Sequence, residues 1–412
     1  MKEKFENLKA KINHIDDILF SFIKKYLWII VMVIATIFAI VAQSIAFPYL
    51  SGDYNSFLVH WMRNYQELGI HDGFGASLGD YTPSYNYYLC IIAVTCPEEG
   101  WIYAIKIFDV VFGLSFSAAT FLIVYKCFKK LNYAALAYSI SLIIPSIIIN
   151  SAFWGQCDIV FASFIVWSFY FVLDKKYNLA MIFFSISFAF KLQAVFFAPF
   201  LFLLLLKREV KLYQILYIPV IYLLLALPAL ICGRSFIDII TVYAKQAGEY
   251  SKRINLLAPS IYAYFQENIA KVFGYLPVFV FFAITMSYIF YLYYKDVELS
   301  KENLITISLI SVLFSPFFLP HMHERYFFLA DLFAVLYVFI KKKGIFICLL
   351  INFASIICCC TFVFSGYNPR AIFEPFDPIV LGASLNLVAV CLLVIEMIKL
   401  PSNKNIDTNS CN

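Results

Sequence analysis

Long apolar runs separated by short polar breaks dominate this chain. They fall near residues 26–48, 101–125, 134–149, 159–173, 178–190, 194–206, 212–231, 273–293, 303–319, 326–340, 345–364 and 379–398. A perpendicular membrane span needs about 20 predominantly apolar residues, so these runs predict an all-α polytopic membrane helix bundle of about twelve helices. Several runs are shorter than that, and the pairs at 134–173 and 178–206 are expected to contain tilted, broken or partly buried helices. Backbone that is not helical survives at membrane depth only inside protein or beside a wet cavity. The short runs therefore point to a cavity. Residues 85–95 are too short to span and read as a re-entrant or surface segment.

Residues 1–25 mix Lys, Asp and Glu with Phe5, Leu8, Ile12, Ile15 and Leu19 at helical spacing. That pattern fits an amphipathic cytoplasmic helix at the interface as well as a simple N-terminal cap. The run at 26–48 lacks a small-residue cleavage site, so it reads as an anchor rather than a signal peptide. Residues 26–400 then form the transmembrane domain, and 401–412 a cytoplasmic tail.

Composition agrees. The chain is 63% hydrophobic and 14% charged, with mean hydropathy +0.83, against roughly 45–50% apolar and about 25% charged in soluble domains. The net charge of +5 gives no reason to expect nucleic acid, because the basic residues are scattered among short loops. Their placement is more telling. With a cytoplasmic N-terminus, alternate loops gather 21 of the 31 lysines and arginines, a bias that sets orientation by the positive-inside rule. Both termini are then inside. Residues 49–100, 150–158, 191–193, 232–272, 320–326 and 365–378 fall outside. The eleven cysteines lie mostly within apolar runs and read as small core residues, not as a disulfide framework or metal site. No internal repeat or low-complexity stretch stands out.

The candidate chemistry gathers on that outer face. His321-Met322-His323-Glu324-Arg325 lies between two apolar runs, where charge is costly and usually functional. If helical, His321, Glu324 and Arg325 share a face. Arg325 offers a planar fork suited to phosphate, with Glu324 orienting it. The spacing lacks the helical i, i+4 histidine pair of zinc peptidases, and no metal is expected. Trp154, Gln156 and Asp158 form a second cluster, with Trp154 and Asp158 on one face if that segment is helical. Lys191 and Gln193 interrupt an otherwise apolar stretch; Lys191 could bind a ligand or snorkel outward. Asp53, five residues past Pro48, could serve as a general base or as a turn or helix cap. Tyr81 and Tyr85 belong to an aromatic-rich outer segment that suits a membrane interface or a sugar face. Lys106 and Asp109, at i and i+3, can pair with each other in a structural role; the functional alternative pairs Lys106 with Asp53 or a ligand phosphate. The outer loop 232–272 adds Arg234, Lys245, Lys252 and Arg253.

This face offers a candidate base and several cations, but no Gly-rich phosphate loop and no soluble domain to hold a nucleotide sugar. A sugar donor would have to arrive within the membrane, on a polyprenyl phosphate. As the sugar leaves, that phosphate gains a second negative charge, which Lys and Arg could stabilise without a metal.

The stretches NSAFWGQCDIVFASF, SFAFKLQAVFFAPF and PHMHERYFFLADL, with Asp53 and Tyr81-Thr82-Pro83-Ser84-Tyr85 ahead of them, resemble bacterial mannosyltransferases related to the enzyme that adds the second mannose of GPI anchors. Those enzymes are polytopic glycosyltransferases of the GT-C class. The resemblance covers most of residues 45–340. It implies a GT-C fold with catalytic outer loops 49–100 and 232–272, and Asp53 as the catalytic base. His321, His323, Arg325 and Lys191 would bind the lipid phosphate. Trp154, Gln156, Asp158, Gln193, Glu324, Tyr81 and Tyr85 would line or orient the cleft. The implied activity moves a hexose, mannose by the resemblance, from a polyprenyl-phosphate donor to a cell-envelope glycan or lipid-linked acceptor, with no cofactor. A lipid-linked glycan polymerase or ligase, and a transporter or flippase of such a saccharide, are the alternatives.

Overall fold

The computed structural model of the protein describes residues 2–249, 253–265 and 274–403. Lys252, the end of the outer loop at 266–273, and the tail from Lys404 onward lie outside the described residues. So do the side chains of Leu8 and Ile12. The α-helices run in the order α1 (Lys2–Ala46), α2 (Val59–Gly75), α3 (Pro83–Thr95), α4 (Glu98–Phe128), α5 (Leu131–Leu142), α6 (Pro145–Ile147), α7 (Asp158–Leu173) and α8 (Tyr177–Phe190). They continue with α9 (Ala198–Leu206), α10 (Tyr217–Ile231), α11 (Phe236–Glu249), α12 (Leu276–Tyr294), α13 (Lys301–Phe318), α14 (Phe328–Lys341), α15 (Ile345–Val363) and α16 (Pro378–Ile398).

Among the described residues, eight helical segments are long and apolar enough to cross a membrane. Asp158–Leu173, Tyr177–Phe190 and Leu192–Leu206 are shorter apolar helices, and the run at 326–340 becomes the 14-residue α14. The breaks expected in the short runs are present. Pro145 opens a new turn after α5, Ile148–Trp154 is π-helical, and Gly155 is left-handed at φ +73°. Lys191 is extended between α8 and the 3₁₀ turn Leu192–Phe197. The first run and the segment before it form one continuous helix, α1, on which Phe5, Ile15 and Leu19 are exposed.

Two kinds of apolar helix result. α13 and α14 are buried along nearly their whole length and form the centre of the bundle with α7. α1 exposes Ile34, Ile37, Phe38, Val41 and Ile45, as a lipid-facing helix would. The ends of the bundle differ as well. At one end α1, α8, α13 and α15 finish while α4, α7 and α16 begin. Tyr49 Oη, just past α1, donates to the Val363 carbonyl at the end of α15 (2.6 Å). The opposite end carries ion pairs of Lys126 and Lys176 with Asp174, Lys207 with Asp296, and Lys341 and Lys343 with Glu396. The broken segments and the His321–Arg325 block all sit at the first end.

Candidate active site

Two segments remote in sequence converge on Asp53. The carboxylate lies in the helical turn before the π-helical Tyr54–Leu58. Its Oδ2 accepts from Trp154 Nε1 (2.9 Å), Gln156 Nε2 (2.8 Å) and Arg325 Nη1 (3.0 Å). Nothing among the described residues bonds Oδ1. Three donors on one oxygen fix the carboxylate plane and leave the other oxygen available. Tyr81 Oη donates to Gln156 Oε1 (3.1 Å), which extends the network to the first outer segment. The Ser51 hydroxyl donates to the Trp154 carbonyl (2.7 Å) and accepts from the Tyr54 N–H (3.2 Å).

Behind this layer sits a buried ion pair, Lys191 with Asp158, whose other oxygen accepts from Asn150 Nδ2 (2.8 Å). Arg325 Nε stands 4.0 Å from Asp158 and, among the described residues, makes no hydrogen bond. The guanidinium lies 5.3 Å from the centre of the Trp154 ring, which itself stacks on Phe362. Arg325 is thus held by two carboxylates and an aromatic face while keeping an unused donor.

The same residues wall a cavity of about 550 Å³. Asp53, Tyr81, Gln156, Lys191, His323, Glu324 and Arg325 line it, so most of the residues expected from sequence meet there. Trp154 and Asp158 serve them from behind. Tyr85 is buried and packs edge-on against the Tyr81 ring (4.8 Å), supporting the wall without lining it. Burial pushes Glu324 up to about 7, against the pull of Arg325. It pushes His323 down to about 3, with Arg325 and Lys191 adding to the effect. Both shifts disfavour a charge that burial would strip of water.

Three local expectations are corrected. Trp154 and Asp158 do not share a helical face, because the left-handed Gly155 ends one helix and α7 starts at Asp158; they reach Asp53 and Lys191 from separate elements. His321, Glu324 and Arg325 do not share one either. His321 has φ +63°, residues 322–323 are extended, and Glu324–Phe327 is a single 3₁₀ turn. Lys106 and Asp109 do not pair. Lys106 donates instead to the carbonyls of Ala46, Phe47 and Tyr49, and among the described residues neither Asp109 oxygen has a hydrogen bond.

His321 and Gln193 lie elsewhere. Both line an adjoining cavity of about 250 Å³ whose other walls are mainly apolar, Val195, Phe196, Val278, Leu319 and Met322 among them. Gln246 and Tyr326 border both cavities. His321 is tied to the outer loop: its N–H donates to the Ile254 carbonyl (2.8 Å) and Nδ1 to that of Arg253 (2.5 Å). A two-residue parallel pairing of Asn255–Leu256 with Met322–His323 continues the tie. Arg234 and Lys245 both pair with Asp238 on α11 and do not line the larger cavity.

Sequence reading missed Gly79, Asp80 and Gln246. Gly79 is left-handed at φ +66°, and a Cβ there would sit 2.7 Å from the Trp61 indole, so the chain passes over that ring only with glycine. This brings Asp80 to the cavity wall, where burial raises its carboxyl. A Gly-Asp pair within a polar outer segment was a visible signal. Gln246, on a surface helix with no motif, gave none. Among the described residues, no group of three or more His, Cys, Asp or Glu is placed to hold a metal ion. Comparisons of the chain with protein-family models and with curated protein sequences found no match.

Proposed function

We propose that this protein is an inverting glycosyltransferase of the GT-C kind, moving a hexose from a polyprenyl-phosphate donor to a cell-envelope glycan or lipid-linked acceptor. The observation that carries the reading is the state of Asp53. One of its oxygens is fixed by three donors and the other is, among the described residues, unengaged at the wall of a cavity holding two cations. A carboxylate aimed in this way is what a general base toward a hydroxyl requires.

In this mechanism Asp53 Oδ1 takes the proton of the acceptor hydroxyl as its oxygen attacks the anomeric carbon. The bond from that carbon to the phosphate oxygen breaks on the opposite face, so the configuration inverts. The electron pair leaves with the lipid phosphate, which becomes a dianion. Arg325 and Lys191 stabilise it. Mannose as the sugar follows from the sequence resemblance alone.

The adjoining apolar cavity supports a lipid donor, because it opens beside the polar one at Tyr326 and Gln246. The first isoprene units would lie there with the phosphate toward Arg325. Orientation follows from the basic residues, which cluster at the opposite end of the bundle. By the positive-inside rule that end is cytoplasmic, both termini with it, and the active site faces outward across the cell membrane. The shorter helices α7, α8, α9 and α14 would complete a bundle of about twelve.

The test is transfer from labelled polyprenyl-phosphate mannose to an acceptor extract, comparing purified protein with Asp53→Asn, each with chelator. Chelator-resistant transfer lost in the variant is the expected result. Full activity of a well-folded Asp53→Asn protein would remove Asp53 as the base. No transfer from mannose, glucose or galactose donors would count against a transferase and favour transport of the lipid-linked sugar. A ladder of long products would favour the polymerase or ligase reading.

A further inference from the structure

Lys106 is a fully buried lysine near the start of the apolar helix α4, a costly position that calls for an explanation. Its ammonium is satisfied without a carboxylate: Nζ donates to the main-chain carbonyls of Ala46 (3.1 Å), Phe47 (3.0 Å) and Tyr49 (2.6 Å). These oxygens lie at and just beyond the C-terminal end of α1. Helix C-termini leave carbonyls unpaired and carry partial negative charge, so a cation there is well placed. The chain from Tyr49 reaches Asp53 within four residues.

The stem of Lys106 passes beside the other half of the same site. Gly155 faces α4, and a Cβ on it would lie 3.4 Å from Ile102 Cδ1, 3.6 Å from Lys106 Cε and 3.9 Å from Ile105 Cγ2. Gly155 stands between Trp154 and Gln156, the residues that donate to Asp53 Oδ2. One side chain therefore holds by its head the strand of chain that carries the carboxylate. Its stem fills the space beside the turn that carries two of the three donors orienting that carboxylate.

We infer that Lys106 is a positioning residue for Asp53, a clamp that fixes the carboxylate arm and its donor turn relative to each other. Asp109, one turn further along α4, does not draw it away, because the three carbonyls already take its three donors. This role rests on Asp53 being the base, so the experiment reads geometry as well as activity.

Lys106→Met keeps the stem and removes the head; Lys106→Arg restores a donor. Amide hydrogen exchange of the detergent-purified protein reports the clamp without any substrate. The expected result is faster exchange in Lys106→Met across residues 47–57 and 153–157, with α13 and α14 unchanged and Lys106→Arg partly protected. In the transfer assay the same variant loses about 10²-fold in kcat, the scale of an ångström-level misplacement, with donor KM little changed. Combined with Asp53→Asn, it causes no further loss of residual transfer, since its effect passes through Asp53. Unchanged exchange in both segments would overturn the clamp, even if the wild type proved to transfer no sugar. Exchange raised throughout the bundle, or a full additional loss in the Asp53→Asn background, would make Lys106 a general stability residue and overturn it too. Absence of transfer by the wild type, with the local exchange change present, would sink the transferase reading and leave the clamp standing.

Discussion

The two ends of this bundle use the same residue types in opposite ways. At one end Lys126, Lys176, Lys207, Lys341 and Lys343 pair with acids at the helix ends and loops, most with a partly exposed partner. At the other end Asp158, Lys191 and Glu324 are withdrawn from water, Arg325 largely so, and Arg325 reaches the carboxylates of both Asp53 and Asp158. Exposed pairs gain little from one another in water and are easily replaced. Buried charges must be paired and oriented by the fold, and breaking one leaves its partner uncompensated. The first end is suited to setting orientation, the second to chemistry.

That contrast makes graded predictions. The largest effect belongs to Asp53→Asn, which should lower kcat for transfer about 10³-fold, within the range for a lost general base. Donor binding, followed by protection of the protein against heat, should persist. A comparable loss from a charge at the opposite end would erase the distinction between the ends.

Next comes Arg325→Lys. It keeps a positive charge but not the fork that spans Asp53 and the cavity, and about 10²-fold loss in kcat is expected, as for removal of an oriented donor to developing charge. Full activity would mean that charge alone, without the fork, suffices. In the apolar cavity, Val278→Asp should raise KM for long-chain donors about tenfold, near what two lost methylene contacts cost. kcat and short-chain donors should be little affected, and an equal penalty on both donors would detach this cavity from the lipid.

A subtler effect concerns pH and stability. Glu324, raised to about 7 by burial, binds more protons folded than unfolded between pH about 4.5 and 7, so its contribution to stability falls as pH rises through that window. His323, lowered to about 3, binds fewer protons folded than unfolded between about 3 and 6.5, so its contribution rises with pH. The slopes oppose one another between about 4.5 and 6.5. Thermal melting of Glu324→Gln should therefore reveal a midpoint that climbs with pH across this range, and His323→Asn one that declines. Parallel curves for wild type and both variants would refute the burial argument. The smallest effect is reserved for Asp174→Asn at the opposite end. Transfer should change less than about twofold, because its ion pairs are partly exposed and lie at the end away from the cavity.

Much of the fold was legible in the chain. Apolar runs marked the helices, and the short ones at 134–173 and 178–206 marked where helices would break, because run length against bilayer thickness is a one-dimensional property. Segments carrying the site were legible for a similar reason: charge and polar clusters inside apolar sequence are costly wherever they fold. Asp53, Trp154, Gln156, Lys191 and Arg325 could be singled out on that ground.

Their partnerships could not. Helical spacing suggested that Lys106 would bond Asp109 and that His321 would stand beside Arg325, and both pairings failed. A left-handed glycine, an extended pair of residues and the open carbonyls at a helix end redirected those side chains. Such features depend on what each segment packs against. The sequence by itself determined that this protein is a helical membrane bundle with polar clusters in its apolar chain, since hydropathy and charge cost act residue by residue. Tertiary structure alone decided that one oxygen of Asp53 is bound by three donors and the other, among the described residues, by none, because those donors come from positions about 100 and 270 residues away and only packing brings them together.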